Sequence, residues 1–119
     1  MTSFCVFKSS VKFIEKFEPI ENFLSRIRSF SEASIDCTSH TFFRLSQGQR
    51  KVFGCETLKN ILFNEMLIVV AIQHNQNYAI YYKYKDQKVI KIIISIKPTF
   101  IRIVTFIIIT IDQVPRRLL

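Results

Sequence analysis

Between His40 and Lys51 the sequence HTFFRLSQGQRK places one imidazole and three cations within twelve residues. His40 and Arg44 are four apart, so on a helix they share one face. Arg50 and Lys51 follow just after Gly48. Cleaving RNA without a metal needs a proton acceptor for the ribose hydroxyl and a proton donor for the leaving oxygen. It also needs cations around the phosphorane, whose charge grows in the transition state. One His and two Arg meet most of those needs. The same residues equally suit a solvated basic helix end with His40 packed beside Phe42 or Phe43, because histidine's titration range is useful without being diagnostic.

Other chemistries have less to work with. His40 and His74 are the only histidines, and Cys5, Cys37 and Cys55 are not spaced as zinc ligands. Gly48 and Gly54, the only glycines, cannot build a phosphate-cradling loop. The acids are scattered singly, which disfavours paired-carboxylate or two-metal catalysis. No metal and no cofactor is therefore expected. Cys37 and Cys55 read as small buried apolar groups. Three cysteines without a CxxC make no disulfide framework, so a reducing, cytoplasmic setting is expected. The N-terminal residues lack the pattern of a signal peptide.

Charge is distributed unevenly. Residues 1–40 carry five Lys/Arg and five Asp/Glu, whereas residues 41–119 carry twelve against four, which accounts for the whole net charge of +8. A small basic module attracts a phosphate backbone, because each bound cation releases counterions. Surplus Lys also serves simply to keep an Ile-rich sheet in solution. Tyr82 and Tyr84 flank Lys83, an interleaving that suits base stacking beside phosphate contacts. Lys51, Lys91 and Arg102 extend that candidate RNA surface.

Periodicity supplies the elements that would position these groups. Glu18-Pro19 reads as a helix start, followed by Phe23, Leu24, Ile27 and Phe30 at helical spacing. Ser-rich residues 29–39 break the pattern, and 4–14 give only a weak strand signal. A second helical region spans 40–64 in two pieces, the later one carrying Leu58, Ile61 and Leu62. Four strands are predicted over 67–73, 77–85, 88–97 and 100–111, joined by turns short enough for antiparallel hairpins. Ile101, Ile103, Ile107 and Ile109 share one parity in the last strand, and Thr105 shares it too. The longest uncharged run in that region, 103–111, has nine residues where a spanning helix needs roughly 20, so no membrane partner is expected.

A His-x3-Arg helix start, a further Arg, a short amphipathic helix and then antiparallel strands resemble the RelE-like domains of the barnase–EndoU–colicin–RelE ribonuclease toxins. The resemblance covers about residues 35–112, with Thr38, His40 and Arg44 as the opening motif. It implies an α+β fold, with N-terminal helices packed on a four-stranded, mainly antiparallel sheet. Residues 1–34 would then be a helical extension and 35–119 the RelE-like domain. It implies His40 as acid or base, Arg44 and Arg50 on the phosphate, and Thr105 as the hydroxyl recurring in the last strand. RNA, including ribosome-associated mRNA, and an antitoxin protein are the partners it implies. The alternative is a non-catalytic module that binds nucleic acid or protein.

Overall fold

The computed structural model describes residues 14–37 and 54–115. His40, Arg44, Arg50 and Lys51 lie outside the described residues.

The described residues form six strands and two α-helices, with single 3-10 turns at Glu32–Ser34 and Ile111–Gln113. Strand β1 is Ile14–Glu18, helix α1 Ile20–Arg28 and strand β2 Ile35–Cys37. Helix α2 is Cys55–Asn64, followed by β3 Leu67–Gln73, β4 Tyr78–Lys83, β5 Lys88–Ile96 and β6 Ile101–Thr110. The six strands form one sheet in the order β1-β3-β4-β5-β6-β2. All neighbours run antiparallel except β2, which lies parallel to β6 through Ile35, Asp36 and Cys37.

The β-branched runs favour strands, and the turns between them close without glycine. Gln76 and Gln87 adopt left-handed φ values of 73° and 55°, each costing about 1 kcal/mol for a residue with a Cβ. Asn75 offsets part of that cost, since its side-chain oxygen accepts the Asn77 amide at 3.0 Å.

Both helices cover the same face. Pro19 opens α1, Glu21 lies in its first turn, and Arg26 and Arg28 lie in its last, which suits the helix dipole. Phe23 and Ile27 of α1, with Leu58, Ile61 and Leu62 of α2, bury against Val70, Ile80, Ile92 and Ile103 of the sheet. Each such side chain contributes roughly 1.5–3 kcal/mol. Tyr78 fastens α1 further: the Arg26 guanidinium donates to its hydroxyl, and its ring lies 5.8 Å from that of Phe23.

The strand parity predicted for 101–111 needs correction. Ile94 pairs with Ile103 and Ile93 with Thr105, so Val104 is an extra residue in β6. A one-residue bulge turns every later side chain over. Ile101 and Ile103 face the helices, but after Val104 that role passes to Phe106 and Ile108. Thr105, Ile107 and Ile109 point to the other face.

The expected architecture is overturned as well. In place of N-terminal helices on a four-stranded antiparallel sheet, the chain forms a six-stranded mixed sheet with two helices. The two extra strands carry little periodic signal, because β1 is the charged IEKFE and β2 only three residues long. Both are edge strands, where charge and brevity limit unwanted pairing.

Cys37 and Cys55 are not separate apolar fillers. They form a disulfide joining the end of β2 to the start of α2, with Cα atoms 6.1 Å apart. Their separation of 18 residues gave no sign of the pairing, which arises because the fold brings α2 back over the β2 edge. The bond removes the cysteine-based reason for expecting a reducing compartment. No helix among the described residues is long and apolar enough to cross a membrane.

Candidate nucleic-acid interface

The face of the sheet opposite the helices carries one base from each of three consecutive strands. Lys83 of β4 pairs with Val89, Lys91 of β5 lies between Tyr81 and Ile107, and Arg102 of β6 pairs with Ser95. All three share the parity of Val89 and Tyr81, which pack in a second apolar cluster away from the helices. Val89 and Ser95 are six residues apart, so the row extends about 20 Å along β5. Lys97 continues the same parity just beyond the strand and is exposed.

Each base has a different electrostatic setting. Lys83 is exposed. Lys91 is half-buried, with its Nζ 5.7 Å from the centre of the Tyr81 ring, and burial lowers its pKa. Arg102 has its Nε 3.4 Å from Asp36 Oδ1 and its guanidinium 5.3 Å from the Phe100 ring. Because 44% and 54% of the two charged side chains remain accessible, that ion pair contributes at most about 1 kcal/mol and yields readily to a phosphate. Asp36 is the one acid at a paired strand position on this face; Glu18, the other such acid, pairs with Val70 on the helix side.

Thr105, predicted to share the core parity, is exposed on the basic face instead, because the Val104 bulge intervenes. It lies diagonally across from Lys91. Tyr82 requires the opposite correction. It was expected to be exposed for stacking, yet it is fully buried under α2 and donates its hydroxyl to the Leu62 carbonyl at 3.0 Å. Burial raises its pKa. Tyr84 lies just past β4, half-buried against the helix-side core, with Lys85 Nζ 5.3 Å from its ring. The tyrosine on the basic face is Tyr81, which sequence reasoning missed. Its parity with Lys83 was readable, but the side of the sheet was not. Burial pushes its hydroxyl up to about 12.

Comparison with protein-family models, curated proteins and solved structures found no match.

The charge balance of the described residues qualifies the basic character of the chain. They contain ten Lys/Arg and all nine Asp/Glu, so the described body is nearly neutral. The remaining seven bases (Lys8, Lys12, Arg44, Arg50, Lys51, Arg116 and Arg117) fall in 1–13, 38–53 and 116–119 without a single acid. Cys37 and Cys55 bracket the middle segment, so its two ends are covalently joined.

A separate polar group lies at the opposite edge. Glu18 and Arg26 both act on the Tyr78 hydroxyl, whose pKa is raised, mainly by burial and then by the Glu18 carboxylate. Glu18 Oε2 is buried without a hydrogen-bond partner. Its position between β1 and α1 suits a role in docking the helix. Among the described residues no three His, Cys, Asp or Glu side chains lie close enough to hold a metal ion.

Proposed function

We propose that this protein binds RNA across the helix-free face of its sheet, with Lys83, Lys91 and Arg102 contacting its phosphates. The observation that carries this reading is the alignment of three bases from β4, β5 and β6 on a face with one paired-position acid. Phosphate contacts of this kind give affinity with little sequence preference and a steep salt dependence. The acid-free segments supply further cations around the same molecule.

Cleavage is the catalytic form of this proposal. It assigns acid–base work to His40, phosphate stabilisation to Arg44 and Arg50, and a supporting hydroxyl to Thr105, on the strength of the sequence resemblance. In that form the substrate includes ribosome-associated mRNA, and an antitoxin protein would restrain the activity in the cell. A cytoplasmic location would hold Cys37 and Cys55 as thiols, so both redox forms belong in the assay.

The test uses a fluorescent single-stranded RNA, the full-length protein and the variant Lys83→Gln/Lys91→Gln/Arg102→Gln. The proposal expects weakened binding by the variant and a shallower salt dependence. Equal binding by both proteins contradicts it. Loss of cleavage but not binding in His40→Ala supports the catalytic form, and wild-type protein that binds without cutting leaves the binding module alone.

A further inference from the structure

We infer that the Cys37–Cys55 bond is a redox switch that holds Asp36 against Arg102, so that reducing it opens the basic face. The consequence for RNA rests on the function proposed above, whereas the switch itself does not. The bond joins two elements of unequal anchorage. Helix α2 buries Leu58, Ile61 and Leu62, and the Tyr82 hydroxyl donates to its Leu62 carbonyl. Strand β2 has three residues at the sheet edge, and Ile35 is its one buried side chain. The chain entering β2 is steadied by Phe30, packed against the same core. Its far end is fastened to α2 through Cys37.

Asp36 lies between those two anchors. The parallel ladder holds it in register with Arg102, where the carboxylate meets the guanidinium at 3.4 Å. As the one acid at a paired strand position on this face, it offsets one of three aligned bases. Cutting the bond leaves α2 seated by its own core contacts. Strand β2 then keeps Ile35 as its buried anchor among the described residues and frays back from Cys37. Asp36 is the first charge that fraying releases, and Arg102 loses its competitor for phosphate. An edge element with so little buried surface opens at far lower cost than the whole fold.

Both cysteines are half-buried, so a small thiol can reach the bond. A glutathione thiolate attacks one sulfur, forming a mixed disulfide and freeing the other cysteine. A second glutathione attacks the glutathionyl sulfur, releasing the remaining cysteine and glutathione disulfide. Two glutathione thiols are oxidised and one protein disulfide is reduced, with no other reagent.

Full-length protein is compared before and after reduction by glutathione, using hydrogen-exchange mass spectrometry and a fluorescent single-stranded RNA. Peptides covering Ile35–Cys37 should exchange several-fold faster after reduction, while those covering 70–81 keep their protection. Unchanged exchange at Ile35–Cys37, or equal acceleration at 70–81, overturns the switch. RNA should bind about two- to fivefold more tightly after reduction, the factor to which an exposed ion pair amounts. Asp36→Asn should bind equally in both redox forms. A redox difference that persists in Asp36→Asn overturns the assignment to Asp36. Release at Ile35–Cys37 in a protein that binds no RNA in either form supports the switch and contradicts the proposed function.

Discussion

On the helix-covered face, Ile80, Ile92 and Ile103 are sealed beneath Phe23, Leu58 and Leu62. On the opposite face, the same three strands present Lys83, Lys91, Arg102, Thr105 and Ile107, of which only Lys91 is drawn into an apolar setting. The first face is sealed by the helices, whereas the second holds its own buried cluster of Ala71, Ala79, Tyr81, Val89 and Ile93 with exposed bases around it. Tyr81 and Tyr82 show how finely the division runs. The two are adjacent, yet Tyr82 anchors α2 through the Leu62 carbonyl while Tyr81 underlies a cation. A division made by strand alternation can be probed one position at a time.

The largest effect belongs to the sealed face. Ile92→Ala should lower unfolding free energy by about 2–5 kcal/mol. Ile107→Ala, at a side chain 56% exposed, should stay within about 0.5 kcal/mol. Equal losses in urea titrations of the two variants would erase the contrast between the faces.

Next comes the covalent tie between the sheet edge and α2. Cys37→Ser removes closure of a loop of 18 residues and should cost about 3 kcal/mol. Thiol titration of the unfolded, unreduced chain should find one of the three cysteines free and all three after reduction. Three free thiols before reduction would contradict the pairing.

Tyr82→Phe removes one buried hydrogen bond to Leu62 and should cost about 1 kcal/mol in a thermal melt, with RNA binding unchanged. Stacking by Tyr82 would instead make binding the property that suffers.

A further effect appears only at alkaline pH. An unfolded tyrosine ionises near its ordinary value of 10.0, while burial holds Tyr81 up to about 12 and raises Tyr82 as well. Folded pKa values above unfolded ones mean that this stability is complete below pH 10.0 and is lost as pH rises toward 12. Tyr81→Phe should flatten that decline in pH-dependent unfolding curves.

Much of the frame was legible because alternation and helical spacing are local. Strand β3 and helix α2 fall where predicted, and the Leu58, Ile61 and Leu62 stripe is the buried one. Four features were hidden, each for a physical reason. The charges of IEKFE masked an edge strand, and three residues of β2 are too few to show a period. The extra residue Val104 carries no chemical mark, yet it reverses the sides of Thr105 and Ile107. The Cys37–Cys55 bond depends on the return of the chain and not on spacing. Of the candidate RNA-facing residues, parity grouped Tyr82 with Tyr84 but could not say that Tyr82 lay beneath a helix.

The central claim is that the helix-free face carries a polyanion, and salt dependence measures it most directly. The slope of log binding constant against log salt should be compared for a single-stranded RNA with wild type, the Lys83→Gln/Lys91→Gln/Arg102→Gln variant and the Arg44→Gln/Arg50→Gln/Lys51→Gln variant. Each lost phosphate contact should flatten the slope by about 0.7, so three give about 2. That flattening in the sheet variant is the predicted result. An unchanged slope there, with the whole loss in the Arg44/Arg50/Lys51 variant, would move RNA binding off the sheet and contradict the account.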